Sequence, residues 1–124
     1  MTRPLALVFY EKLLPGSRVA GKLGDLGWRV AEVRPATQLV AQARAQRPLV
    51  LVAELTLRPD DLLPFIRDLR AAPDTAHLPV LAFAADGPPG RVEAALAAGV
   101  NLVAAEAGII DQLPQLLEQV LAVD

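Results

Sequence analysis

The sequence predicts an α/β fold, a single doubly wound domain whose parallel five-stranded sheet carries helices on both faces. Two observations lead to this prediction. Strand-like and helix-like segments alternate five times along the 124 residues, which is the pattern of repeated βα units. The strand-like segments are almost wholly apolar, as is typical of strands covered on both faces. Hydrophobic residues make up 53% of the chain, enough to build such a core.

Each predicted element has its own signal. Short apolar runs predict strands, apolar residues at three- and four-residue spacing predict helices, and Gly27 and Gly99 mark two helix ends. The predicted strands cover residues 5–10, 28–33, 49–53, 79–84 and 100–104. The predicted helices cover residues 19–26, 35–47, 62–70, 91–98 and 111–122, with a loop at 86–90. Pro114 is expected in the first turn of the last helix, where proline is tolerated.

Length and composition indicate one domain over residues 1–124 and exclude several classes of protein. The chain has no cysteine, which excludes disulfides, thiolate catalysis and cysteine-based zinc sites. The net charge is −2 and the arginines are dispersed, so nucleic acid is not an expected partner. No apolar run is long enough to span a membrane, and the first residues lead directly into a strand and not into a secretory signal. We therefore expect a cytoplasmic protein.

Glu54 is the most informative position, because it ends the central predicted strand. In a parallel α/β sheet, ligands and chemistry gather at the carboxyl ends of the strands. Other reactive groups are scarce, since Ser17 is the only serine and His77 the only histidine. Neither residue has the partners that nucleophilic catalysis needs. The sequence therefore predicts a protein that is not an enzyme.

Four stretches of the sequence resemble the receiver domains of two-component response regulators, of the chemotaxis-regulator type. They are LGDLGWRV at 23–30, RPLVLVAE at 47–54, LRAAPDTAHLPVL at 69–81 and AALAAGVN at 94–101. Their order and spacing extend the resemblance over essentially the whole chain. The resemblance implies a flavodoxin-like sheet of order 2-1-3-4-5 and a role in phosphorelay signal transduction.

The same resemblance implies where the phosphorylation site would lie, and nearly every position there is altered. Receiver domains carry a magnesium-binding acidic pair, an Asp phosphate acceptor, a hydroxyl, an aromatic switch and a lysine. These positions fall on Tyr10 and Glu11, Glu54, Ala84, Val103 and Glu106, respectively. The sequence therefore predicts a pseudo-receiver that acts through protein–protein interaction, without phosphorylation. The alternative is a working receiver that is phosphorylated on Glu54.

Two interpretations of the acidic residues remain open. If Glu11, Glu54 and Glu106 meet at one edge of the sheet, their repulsion raises a pKa or recruits a cation. Glu11 and Glu54 would then be ligands of Mg²⁺ or Ca²⁺. In the other interpretation, Glu106 points to solvent, the other carboxylates are hydrated, and no cofactor is bound.

Residues 16–22 suggest a different class of protein. GSRVAGK nearly matches a phosphate-binding loop, whose glycines let backbone N–H groups surround phosphates. This match leads to the alternative of a small nucleotide-binding domain. Leu23 replaces the Ser or Thr that would hold Mg²⁺, and it also belongs to the apolar stripe of the first helix. A glycine-tolerant helix is therefore the preferred interpretation.

The last predicted helix has a wide apolar stripe, formed by Ile109, Ile110, Leu113, Leu116, Leu117, Val120 and Leu121. One interpretation buries the whole stripe against the sheet. The other leaves part of it for an interface. By resemblance to receiver domains, that interface would use the fourth helix, the fifth strand and the fifth helix, with a protein partner or a second copy of the chain.

Overall fold

A computed structural model describes residues 3–56, 62–85 and 89–122. Five strands and five helices alternate along these residues, as the sequence predicted. The strands are β1 (Leu5–Phe9), β2 (Arg29–Val33), β3 (Val50–Glu54), β4 (Val80–Ala84) and β5 (Leu102–Ala105). The helices are α1 (Leu13–Asp25), α2 (Leu39–Gln46), α3 (Leu63–Ala71), α4 (Arg91–Ala98) and α5 (Ile109–Leu121).

The five strands form one parallel sheet in the order β2-β1-β3-β4-β5, which confirms the predicted fold class and strand order. The register places Ala53 beside Phe9 and Glu54 beside Phe83. The carboxyl ends of β1, β3 and β4 therefore meet at one edge of the sheet. The segments after these strands lie within reach of one another there.

The core has two parts, one on each face of the sheet, because successive strand residues point to opposite faces. On one face, Leu7, Leu51 and Ala82 pack with apolar residues of α2, α3 and α4. On the other face, Val8 and Val52 pack with apolar residues of α1 and α5. All five are 0% exposed, so the near-continuous apolar strands do reflect burial on both faces.

Some predicted boundaries were wrong. The segment predicted as helix 35–47 is a 3-10 turn (Ala36–Gln38) followed by α2. The last helix begins at Ile109 and not at 111, so Pro114 lies inside the helix and not in its first turn. Pro114 therefore lacks the N–H that would bond the carbonyl of Ile110. Residues 86–88 of the predicted loop lie outside the described residues.

Arg70, near the end of α3, joins that helix to the loops before β4 and β5. Its guanidinium donates hydrogen bonds to the carbonyls of Gly99 (3.0 and 2.8 Å), Ala76 (2.9 Å) and Leu78 (2.6 Å) and to Oδ1 of Asn101 (2.8 Å). Burial lowers the pKa of Arg70 from its ordinary value. One guanidinium, whose N–H groups all donate hydrogen bonds, thus holds the amino-terminal edge of β4 and β5.

None of the helices in the described part of the chain is both long and apolar enough to cross a membrane.

Candidate functional site

Glu54 lies at the carboxyl edge of the sheet, and its carboxylate is held by backbone groups of the segment after β1. The residue is 1% exposed. Its Oε1 accepts hydrogen bonds from the N–H groups of Glu11 (2.7 Å) and Lys12 (3.1 Å). Both donors are main-chain groups of the segment after β1. The apolar strand therefore ends in a carboxylate whose position is fixed by the main chain.

Lys12 supplies the cation at this site, and the sequence analysis did not identify it. Its Nζ lies 3.6 Å from Glu54 Oε2 and 3.3 Å from Glu106 Oε1. The Lys12 side chain is 58% exposed, while those of Glu54 and Glu106 are 2% and 23% exposed. Glu54 Oε2 is buried and has no hydrogen-bond partner among the described residues. Its neutralisation therefore rests on one ion pair with a side chain that reaches in from solvent.

Glu106 reverses the charge that the resemblance implies after the fifth strand, and Lys12 adds a cation next to Glu11, the acidic position that is kept after the first strand. Receiver domains place acidic residues after the first strand and a lysine after the fifth, whereas this chain places Lys12 after β1 and Glu106 just after β5. The reversal was the signal available in the sequence. It required considering both loops together, because the charge reversal at Glu106 alone does not indicate that Lys12 pairs with it.

The structure brings together two of the three carboxylates, so the interpretation in which all three meet is not supported. Glu54 and Glu106 share Lys12, whereas Glu11 is exposed and contributes its backbone N–H. No group of three His, Cys, Asp or Glu residues in the described ranges could hold a metal ion. Lys12 relieves the repulsion that would have recruited a cation. The two-residue magnesium site at Glu11 and Glu54 stays a prediction.

Tyr10 replaces the first residue of the implied acidic pair. It is 3% exposed, its hydroxyl donates to Glu32 Oε1 at 2.9 Å, and the Arg34 guanidinium lies 4.9 Å from its ring centroid. Burial raises the pKa of Tyr10 from 10.0, as do the hydrogen bond to Glu32 and its charge, while the charge of Arg34 lowers it. A packed aromatic side chain therefore occupies the position at which the resemblance implies a carboxylate.

The ring of Tyr10 also explains Gly16. A Cβ added at Gly16 would lie 2.1 Å from Tyr10 Cγ, so no larger residue fits there without displacing the ring. Residues 16–22 form part of helix α1. The phosphate-loop interpretation is therefore wrong, because the glycine serves close packing and the segment is not a loop. The nucleotide-binding alternative loses its structural basis.

Ala84 and Val103 lie on the other side of Glu54, in β4 and β5. They border a groove of about 430 Å³. Ala84 is 9% exposed and Val103 is half-buried. Beside them, the buried Arg91 donates to the carbonyls of Thr56 (3.2 Å) and Ala85. Methyl groups thus occupy the positions at which the resemblance implies a hydroxyl and an aromatic ring.

The apolar stripe of α5 is largely used in the core. Ile109, Leu113, Leu117 and Val120 are buried and Ile110 and Leu116 half-buried, whereas Leu121 is 40% exposed. On α4, Val92 and Leu96 are 42% and 47% exposed. Most of the α5 stripe therefore faces the sheet, and exposed apolar groups remain on both α4 and α5.

No protein-family model matches the chain, and no curated protein matches it. Solved structures do. A candidate response regulator of Chloroflexus aurantiacus superposes with a TM-score of 0.88 at 20% identity, over 98% of this chain and 100% of that one. The receiver domain of a Pseudomonas aeruginosa sensor histidine kinase, with magnesium in its active-site cleft, gives 0.86 at 24% identity, over 98% and 100%.

The chemotaxis protein CheY4 of Vibrio cholerae gives a TM-score of 0.83 at 17% identity, over 96% of this chain and 99% of that one. Identities this low show the fold alone. Together with the strand order β2-β1-β3-β4-β5, the superpositions show that this chain has the flavodoxin-like fold of response-regulator receiver domains.

Proposed function

We propose that this chain is a receiver-like domain of cytoplasmic two-component signalling that acts through protein contacts and without phosphorylation. The observation that carries the proposal is the position of Lys12, whose Nζ lies between Glu54 and Glu106. Because the Lys12 ammonium already neutralises the carboxylate at the acceptor position, that carboxylate needs neither a metal ion nor a phosphoryl group nearby. The domain would then hold one state permanently.

The chemistry of phosphoryl transfer supports the first part of the proposal. The reaction depends on position and on cations that neutralise developing charge. Glu54 is one methylene longer than Asp, both N–H donors nearest to it bind Oε1, and the nearby ammonium already pairs with two carboxylates. An incoming phosphoryl group would meet Glu106 where the resemblance implies a lysine.

The proposed output is a constitutive protein–protein contact. Ala84 cannot donate a hydrogen bond to a phosphoryl oxygen, and Val103 lacks the ring that would change position in response. We therefore place the contact on a surface that needs no switch, namely the α4–β5–α5 face with its exposed Val92, Leu96 and Leu121. Binding there is expected to be the same with and without phosphoryl donors. The partner would be another protein or a second copy of the chain.

A working receiver that uses Glu54 is the second candidate, and one observation favours it. Glu54 Oε2 is buried without a hydrogen-bond partner among the described residues, so one acceptor oxygen is free of hydrogen bonds. In this candidate, Lys12 would have to swing away from Oε2 to admit the phosphoryl group. Its 58% exposed side chain has the room to do so.

One titration separates the two candidates. ¹⁵N–¹H spectra are recorded with Mg²⁺ and then with beryllofluoride, a phosphoryl mimic, using the magnesium-binding Pseudomonas receiver domain as the positive control. The proposal predicts that the amides of Glu11, Glu54 and Ala84 stay fixed in both steps. Shifts that appear only with beryllofluoride and extend to Val103 and α5 would overturn it in favour of the working receiver.

A further inference from the structure

A second open groove lies at the opposite edge of the sheet, where β3 and β4 begin. Its volume is about 490 Å³, and it lies between the end of α2 and the segment that leads into β4. This volume falls within the range of natural ligand sites. Glu54 lies at the other end of β3, so the groove is separate from the site described above.

The floor and walls of the groove are mainly apolar. Leu49, just before β3, is 54% exposed, and Pro48, Leu78 and Pro79 line the groove beside it. The main chain at Leu49 is already used, because its N–H bonds the carbonyl of Leu5 (2.8 Å). The exposed Leu49 side chain therefore sits on a rigid strand end, as an apolar contact point that the domain itself does not cover.

The polar groups of the groove carry a surplus of hydrogen-bond donors. Arg44 and Asp74 pair with each other at 2.9 Å, which cancels their charges. Thr75 is buried and donates inward to the carbonyl of Leu69 (2.6 Å). The side chains of Arg47 and His77 also line the groove, and in the described parts of the chain neither makes an ion pair or hydrogen bond. One full positive charge and one imidazole thus remain available.

We propose that this groove binds an extended acidic segment of a partner protein. An apolar side chain of the segment packs on Leu49, and a neighbouring carboxylate binds Arg47, whose planar guanidinium suits a carboxylate, with His77 beside it. The groove is open, and a chain crossing it gains contacts that a small molecule in a shallow site would lack. Arg47 gives this groove a positive charge although the whole chain carries a net charge of −2, so the site is expected to favour acidic over basic segments.

The inference does not depend on the proposed function, because it concerns the other edge of the sheet. Arg47 provides a favourable test position. It has φ 50° and ψ 59° at the end of α2, a left-handed conformation that glycine adopts without strain. Arg47→Gly thus removes the guanidinium and is expected to preserve the fold.

The test uses the intact chain and a defined probe, the acetylated peptide Glu-Asp-Leu-Glu-Phe-Asp-Glu, with a control peptide in which lysine replaces every acidic residue. We expect the acidic peptide to shift amides around Leu49, Arg47 and His77 in ¹⁵N–¹H spectra, and the basic peptide to leave them fixed. Arg47→Gly and Leu49→Asn should each weaken binding by about tenfold or more, the equivalent of one strong contact. Arg18→Glu, an exposed charge change on α1, should leave the affinity within about twofold.

Three results would overturn the proposal. They are an unchanged spectrum at millimolar acidic peptide, shifts centred on another surface, and undiminished affinity in both Arg47→Gly and Leu49→Asn. Since the beryllofluoride titration reports on Glu54 and the peptide titration on Arg47, either idea can fail without the other.

Discussion

The two ends of the sheet each contain a charged group in a low-exposure environment, and they stabilise it differently. At the amino edge, Arg70 donates to three carbonyls and one side-chain amide oxygen. At the carboxyl edge, Glu54 has one oxygen bonded twice and the other with only a 3.6 Å ion pair to Lys12. All N–H groups of Arg70 donate to neutral oxygens, whereas the second oxygen of Glu54 depends on a solvent-exposed side chain.

The difference separates scaffold from candidate site. Carbonyls around Arg70 cannot leave without unfolding the loops that carry them, so that edge has one arrangement. Lys12 can leave Glu54 by a side-chain rotation alone. If the carboxyl edge responds to anything, we expect the response to begin with the Lys12 ammonium.

The largest expected effect on stability comes from removing the Arg70 hydrogen bonds at the amino edge of the sheet. Arg70→Met removes the guanidinium donors from the carbonyls of Gly99, Ala76 and Leu78, and hydrogen bonds left unmade at part-buried groups are costly. We expect the free energy of unfolding to fall by roughly 3–4 kcal/mol, measured by urea denaturation. Arg67→Met, at an exposed position on the same helix, is the control and should change stability by about 0.5 kcal/mol or less. Equal effects of the two variants would mean that the Arg70 contacts contribute little.

Gly16→Ala should have the next largest effect, at the carboxyl edge. The new Cβ would lie 2.1 Å from Tyr10 Cγ, and overpacking of a buried contact typically costs about 1–3 kcal/mol. Gly21→Ala is a matched control in the same helix, because its Cβ would meet nothing within 4 Å. It should stabilise the chain by about 0.5–1 kcal/mol through helix propensity. Thermal unfolding that shifts in the same direction for both variants would contradict the Tyr10 contact.

Removing Lys12 should cost less, in keeping with its exposure. Lys12→Met leaves Glu54 without a cation, but the Lys12 side chain is 58% exposed and water screens its charge, so we expect a loss of about 1 kcal/mol. In a Glu54→Gln background the same change should cost less, because the amide carries no charge and only the exposed pair with Glu106 is then lost. A double-mutant cycle from urea denaturation measures this coupling. If Lys12→Met costs the same in both backgrounds, Lys12 does not neutralise Glu54.

The smallest effect concerns pH. The folded-state pKa of Tyr10 is raised above 10.0, first by burial and then by Glu32, so folding favours the neutral phenol. This contribution to stability is fully present below pH 10 and is lost as the pH rises through the folded-state pKa. Tyr10 is the only tyrosine, so phenolate absorbance reports it directly.

The check on this prediction is the same titration in denaturing urea. The folded protein should ionise at a higher pH than the unfolded chain, and Tyr10→Phe should lose the transition altogether. Folded and unfolded curves that coincide would contradict the burial of the phenol.

The fold could be predicted because its signals are local and repeated. Apolar runs at 5–10 and 49–53 and regular helix spacing sufficed for the order of elements, and the resemblance supplied the strand order. Boundaries failed where tertiary packing overrides local chemistry. Pro114 was assigned to the first turn because proline is tolerated there. The helix begins earlier, at Ile109, which is 0% exposed.

The site was only half predictable. Glu54 follows from its place at the end of a strand, but Lys12 and Glu106 come from different loops, 94 positions apart. Their pairing depends on how far the two side chains reach across the edge of the sheet, and the hydrophobic periodicity of the sequence does not predict that distance. The motif that begins at Gly16 suggested a phosphate site for a related reason. In sequence, a glycine that makes room for a neighbouring ring cannot be told from a glycine that makes room for a phosphate.

The most direct test of the central claim is phosphate incorporation from radiolabelled acetyl phosphate with Mg²⁺, compared between the wild-type chain and Glu54→Gln. The account predicts no label above the Glu54→Gln background, because Lys12 already neutralises an acceptor that is out of line for transfer. Label that accumulates on the wild-type chain and disappears in Glu54→Gln would contradict it and make Glu54 a working phosphate acceptor.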